Sequence, residues 1–153
     1  RGQAVEILFT AATPAEFRHG YEMLPPAKTW FRAGSNGRLR LCGREAHGVS
    51  VFRAGVEPVW EDGAHVGGRV ISSLTSGSPD MLEALYCHLG ALCTSGGAGQ
   101  VTGLRLIDKG NKLQQSTRLE VWLGPDGDTA TSHTLLVVEL TDKLGKPPEV
   151  VAM

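Results

Sequence analysis

Two stretches, roughly residues 100–109 and 117–123, read as strands joined by the polar turn Gly110-Asn111-Lys112. In the second stretch Leu119, Val121 and Leu123 alternate with Arg118, Glu120 and Trp122. An extended backbone sends alternate side chains to opposite faces, so the apolar set belongs on a core and Trp122 lies on the outer face beside Arg118. A chain carrying this hairpin must build a sheet with one buried side. Further strands are predicted near 4–10 (Val5, Ile7 and Phe9), over Arg38–Leu41 and Val49–Phe52, at about Arg69–Leu74, and from Glu149 to Ala152. The rest of residues 27–48 reads as a long loop.

Three helix signals interrupt the strands. Thr13-Pro14-Ala15-Glu16 offers an N-cap, a proline at the first helical position and the acid of a capping box; Pro25-Pro26 ends that helix by Leu24. Ser78-Pro79-Asp80 opens a second helix with the stripe Leu82, Leu85, Leu89 and Leu92, broken by Ser95-Gly96-Gly97-Ala98-Gly99. The third carries Leu136, Val137, Leu140 and Leu144 and stops at Gly145 and Pro147-Pro148. Strands in meander order with no βαβ repeat predict an α+β fold, a mainly antiparallel sheet with about three helices over one face.

At 153 residues, 41% of them apolar, the chain has the length of one domain and enough material for a core, and no repeat or linker divides it. No apolar run approaches the roughly 18 residues of a transmembrane helix. The chain opens at Arg1 without a signal-peptide pattern, which reads as a fragment or a trimmed chain. Cys42, Cys87 and Cys93 are not spaced as C-x-x-C and fit a reducing compartment.

Enzymatic readings find no footing. His19, His47, His65, His88 and His133 lack metal-ligand spacing, and no G-x-S-x-G elbow is present. Cys87 and Cys93 lie in or beside an apolar helix, where a thiol is a small inert hydrophobe. The glycines at 96–99 lack the Lys-Ser/Thr of a P-loop and lead into a strand. The expectation is a protein without catalytic residues, metal or cofactor.

Binding is better served. A net charge of −1 excludes coating nucleic acid by bulk electrostatics but leaves room for a local basic site. Lys109, Lys112 and Arg118 cluster around the hairpin that carries Trp122. One reading is a solvated basic turn with a Trp half-covered by a loop. The other is a nucleotide site, with cations on phosphates and the ring on the base. Trp60 follows Pro58 in a loop and immediately precedes Glu61. It is either a stray surface Trp or half of a site for a cationic planar ligand. In the second case the ring adds a cation–π contact of about 0.5–2 kcal/mol and the carboxylate accepts N–H donors.

The run Val51-Phe52-Arg53-Ala54-Gly55-Val56-Glu57-Pro58-Val59-Trp60-Glu61-Asp62, followed by Gly67-Gly68-Arg69, resembles the signature of the cap-binding translation initiation factor 4E family, Phe-x-x-x-(Ile/Val)-x-Pro-x-Trp-Glu-Asp and then Gly-Gly-Arg. Lys109 through Trp122 and Leu144-Gly145-Lys146-Pro147-Pro148 follow in the family's order, and Pro14-Ala15-Glu16-Phe17 is similar to the start of its first helix. The resemblance implies a single cap-binding domain over 1–153, a curved sheet with helices on its convex back and the cap in its concave front. It implies 7-methylguanine stacked on Trp60 and read by Glu61, with Trp122 lining the N7-methyl pocket. Lys109, Lys112 and Arg118 would hold the triphosphate of capped mRNA. N7 methylation makes the base cationic, which strengthens stacking on indole and sharpens the donors facing Glu61.

The chain departs from the family in several places. The first cap-stacking Trp falls before Arg1; Trp30 is either its substitute or a loop Trp pinned against the sheet. The family's first strand and C-terminal loop are missing or shortened. On the back surface, Phe17, Arg18, Leu82, Glu83, Tyr86 and Gly90 align with the face that docks a 4G-like scaffold or a 4E-binding protein, but Arg18 stands where the docking Trp belongs. Leu82 also fits a core role. Together with the insertion at Leu113–Thr117, these departures resemble a divergent protist, trypanosomatid-like paralogue. The implied role is cytoplasmic translation initiation or its regulation. The alternative is a 4E-like interaction or repressor protein that has lost tight cap binding.

Overall fold

In the computed structural model the described residues are 7–25, 39–41, 44–46, 48–53, 56, 67–75, 84–90, 101–109, 116–124, 137 and 139–152. They form α1 (Pro14–Glu22), β1 (Leu39–Leu41), β2 (Arg44–Ala46), β3 (Gly48–Phe52), β4 (Arg69–Thr75), β5 (Val101–Asp108), β6 (Thr117–Leu123) and β7 (Glu149–Ala152). Residues 84–90 and 139–144 are helical as well (α2 and α3).

The hairpin that the alternation predicts is the centre of the sheet. β5 and β6 pair antiparallel with Leu104 opposite Val121 and Leu106 opposite Leu119, which stacks four apolar side chains on one face. Backbone bonding closes the pair at its turn end, where the Lys109 N–H donates to the Ser116 carbonyl at 2.9 Å. β3 adds to the outside of β5, while β4 and then β7 add outside β6, giving the order β3-β5-β6-β4-β7 with every neighbour antiparallel. β1 and β2 make a separate two-stranded antiparallel sheet.

The apolar face is covered by helices. Ile71, Val101, Leu104, Leu106, Leu119, Val121 and Leu123 of the sheet pack with Leu85, Tyr86 and Leu89 of α2 and Leu140 of α3. Leu85 and Leu89, the members of the predicted stripe among the described residues, are one turn apart and face the sheet. Tyr86 also crosses the core: its hydroxyl donates to the Val49 carbonyl at 2.8 Å and ties α2 to β3. The helix stop at Gly145 takes the left-handed conformation (φ 81°), and its N–H donates to the Thr141 carbonyl.

α1 is capped much as its sequence predicts. The Glu16 N–H donates to Thr13 Oγ1 at 3.1 Å, while Glu16 Oε1 accepts from Ala12, one residue before the cap. The helix reaches the core through rings, from Phe17 to Tyr21 at 5.9 Å and from Tyr21 to Tyr86 at 6.3 Å between centroids. Phe17 itself lies against Gly90 of α2 so closely that a Cβ there would overlap its ring.

Two sequence expectations need correction. Residues 7–10, the described part of the strand predicted near 4–10, are not a strand. Ile7 is 76% exposed, and Phe9 leaves the alternating pattern to pack on Phe17 at 5.8 Å. Within the loop predicted over 27–48, Arg44–Ala46 pairs as a strand with Leu39–Leu41. Its Arg-Glu-Ala sequence carries no apolar alternation that would announce it.

The packing at Gly90 yields a stability test. Gly90→Ala should lower unfolding stability by about 1–3 kcal/mol through overpacking against Phe17. Tyr86→Phe should cost about 1 kcal/mol by stranding the Val49 carbonyl. Urea midpoints unchanged in both variants would contradict these contacts.

Candidate functional site

The face of the sheet away from the core carries the polar alternates. Across β3, β5, β6 and β4 its rows are Phe52–Gly103–Trp122–Val70, Ser50–Arg105–Glu120–Ser72 and Gly48–Ile107–Arg118–Leu74. No helix among the described residues packs on it. The rows run from apolar and closed at the Trp122 end to open and cationic at the Arg118 end. Trp122 and Arg118 are four residues apart on one strand, about 13 Å.

A β-bulge shapes the closed end. The register of β5 against β6 shifts between Val101 and Gly103, leaving Thr102 as the extra residue. Its hydroxyl and carbonyl are both used: Oγ1 donates to the Trp122 carbonyl at 3.2 Å, and the carbonyl accepts from the Arg53 N–H at 3.0 Å. The shift puts Gly103 opposite Trp122, and the Phe52 ring lies over that glycine, where a Cβ would overlap it. Phe52 meets Trp122 edge to face, at 5.3 Å between centroids and 83° between planes.

Trp122 is thereby on the predicted face but not in the predicted state. It is 2% exposed, so it is not an open stacking platform beside Arg118. Its indole N–H donates to Glu120 Oε1 at 3.0 Å, and the Arg105 guanidinium lies 5.8 Å from its ring centroid. Arg105 Nη1 in turn pairs with the same Glu120 oxygen at 3.6 Å. Strand alternation tells which way a side chain points; it does not tell what lies over it. Sequence reasoning missed Arg105 and Glu120 as members of this cluster. Their signal was available, since both sit on the polar face of predicted strands.

The other predicted site residues are distributed as follows. Lys109 is exposed at the end of β5, and Arg118 is half-buried in β6 between Ile107 and Leu74. Trp30, Trp60, Glu61 and Lys112 lie outside the described residues, as do Leu82 and Glu83 of the expected partner surface. Of that surface Arg18 is exposed, whereas Phe17 and Tyr86 are 2% and 1% exposed and Gly90 is buried under Phe17. Phe17 and Tyr86 join α1 to α2 through ring contacts, and Gly90 leaves room for the Phe17 ring. The residues leading into and out of the Trp60–Glu61 segment are in view. β3 ends at Phe52 against Trp122, and β4 begins at Arg69 opposite Leu123. Among the described residues no three His, Cys, Asp or Glu side chains group as metal ligands.

No family model matches the chain, and no curated protein does. Among solved structures it is similar to C. elegans eIF4E-3 in complex with the 4E-binding protein Mextli, at TM-score 0.49 and 16% identity over 69% of this chain and 63% of that one. The same protein with Mextli and a cap analog gives 0.47 and 16%, over 69% and 61%. Ascaris suum eIF4E-3 with m7G cap gives 0.45 and 17%, over 79% and 67%. The chain thus spans less than two thirds of the first two. None of the three is a protist protein, so the protist origin finds no support in them. What this chain binds has to be read from its own residues.

The Phe52–Gly103–Trp122 contact is open to a direct test. Gly103→Ala should push the Phe52 ring off Trp122, shift the tryptophan emission to longer wavelength and lower stability by about 1–3 kcal/mol. Emission identical to that of the parent protein would show that Phe52 does not shield the indole.

Proposed function

We propose that this chain is a non-catalytic module that binds the 7-methylguanosine triphosphate cap of mRNA, as a single domain over 1–153 working in cytoplasmic translation initiation. The observation that carries this reading is the polar face, on which no helix among the described residues packs, with the closed Trp122 indole at one end and Arg118 and Lys109 at the other. The segment bearing Trp60 and Glu61 leaves β3 beside Trp122 and rejoins the sheet at Arg69, opposite the residue next to Trp122. A base stacked on Trp60 and read by Glu61 would then sit at the closed end. Its phosphates would run along the row toward Arg118, Lys109 and Lys112. Arg118 and Lys109 form no ion pair among the described residues, so their charge is available to an anion.

Trp122 serves such a ligand from behind, as the rigid floor of the pocket. The cationic base gains by stacking on indole, and the Glu61 carboxylate accepts its N–H donors with charge assistance. A 4G-like scaffold or a 4E-binding protein would dock on the helical side, where Arg18 is exposed. Arg18 in place of an apolar anchor favours a partner carrying an acidic group at that point.

A second reading has its own observation. Trp122 is closed off by Phe52 and Arg105, which suits an interaction or repressor protein without tight cap affinity. Titration with 7-methyl-GTP and GTP, followed by tryptophan fluorescence, separates the two. The cap reading expects clear preference for the methylated nucleotide with no turnover. Glu61→Ala should abolish that preference, and Lys109→Ala should weaken binding and flatten its salt dependence. Equal, weak responses to both nucleotides would leave the interaction protein standing.

A further inference from the structure

The cluster at the middle of the polar face holds a carboxylate where a phosphate-binding face would be expected to hold none. Glu120 is flanked in the sheet by Arg105 and Ser72, two residues along β6 from Arg118 on the same face. Its side chain is 12% exposed and that of Arg105 31%. One oxygen, Oε1, serves two partners at once, the Trp122 indole N–H at 3.0 Å and Arg105 Nη1 at 3.6 Å. Arg105 also lies over the Trp122 ring.

We propose that Glu120 sets the anion selectivity of this face by holding both Trp122 and Arg105, so that a ligand phosphate must draw Arg105 away from it. Glu120 is a positioning residue. Its bond to the indole N–H fixes the ring that floors the pocket and leaves that donor unavailable to ligand. Its pairing with Arg105 neutralises that half-buried cation until a stronger anion arrives. Arg105 is exposed enough to turn outward, and the Glu120 charge stays behind. A singly charged anion gains little by the exchange, because the attraction of Arg105 is offset by Glu120. A polyphosphate reaches Arg105, Arg118 and Lys109 together and outweighs the single carboxylate. The face is therefore tuned to a multiply charged phosphate chain and set against monoanions.

The proposal depends on the cap-binding reading only for what the phosphates are attached to. The test titrates the parent protein, Glu120→Gln and Arg105→Ala with 7-methyl-GTP, 7-methylguanosine and inorganic tripolyphosphate over a range of KCl concentrations. Gln retains an oxygen acceptor for the Trp122 N–H, and thermal unfolding checks that each variant is folded. Glu120→Gln should tighten both phosphate ligands roughly three- to tenfold and steepen their salt dependence, with 7-methylguanosine unchanged. Arg105→Ala should weaken both about tenfold and flatten the salt dependence. A purely structural Glu120 would give weaker or equal binding with unaltered salt dependence, and that result overturns the proposal. So does 7-methyl-GTP binding indifferent to both variants, which leaves the cap reading intact. Tripolyphosphate binding that responds as expected, with 7-methyl-GTP bound no more tightly than tripolyphosphate, sustains the proposal and overturns the cap reading. Binding of neither phosphate ligand to the parent protein overturns both.

Discussion

The register between β5 and β6 is the constraint on which the rest of the molecule depends. With Leu104 opposite Val121 and Leu106 opposite Leu119, the central hairpin offers one apolar face for helices to cover. The same register sets Arg105 opposite Glu120 on the reverse side. A slip of one residue would exchange the faces, expose the leucines and bury the ion pair. The other three strands of this sheet inherit their sidedness from this pair, because β3 is laid on β5 and β4 on β6. The bulge at Thr102 is the one local departure, and it brings a residue without a side chain opposite the indole.

The two faces are stabilised by different physics. On the helical side, aliphatic side chains leave water, each worth about 1.5–3 kcal/mol, and a ladder of rings from Phe9 through Phe17 and Tyr21 to Tyr86 draws in α1. This side has a polar loose end of its own: Ser73 Oγ is buried without a hydrogen-bond partner among the described residues. On the polar side Trp122 is buried, and no helix among the described residues covers it. Phe52, Glu120 and Arg105 do that work from within the sheet, by ring contact, hydrogen bond and cation–π contact. A charge-balanced cluster results, flanked by Arg118 and Lys109, which form no ion pair among the described residues.

Most of the architecture was legible in local pattern. Alternation marks β6 at nearly its full observed length, because a half-buried strand has no other way to distribute its side chains. Thr13, Pro14 and Glu16 mark the start of α1 and Gly145 the stop of α3, since capping is satisfied by residues a few positions apart. Pattern failed where local preference was overruled or silent. Val5, Ile7 and Phe9 read as a strand, yet at residues 7–10 the chain is not extended into the sheet, and Phe9 is drawn to the rings of α1. Arg44–Ala46 pairs as a strand with nothing in its composition to show it.

The candidate site divides along the same line. Sequence by itself determined the direction of each side chain: Arg118, Glu120 and Trp122 on one face, with Lys109 and Lys112 at the hairpin's end. Direction follows from backbone period alone, so a single strand contains it. Tertiary structure alone decided the state of those side chains. The indole is closed, the Glu120 carboxylate is shared between two donors, and Arg105 belongs to the cluster. Phe17, Tyr86 and Gly90, aligned with a partner surface, serve as packing. Each of these depends on groups brought together from separate elements, Phe52 of β3 and Arg105 of β5 against β6, Phe17 of α1 against Gly90 of α2. Burial and pairing are properties of neighbours, and neighbours exist only once the chain has folded.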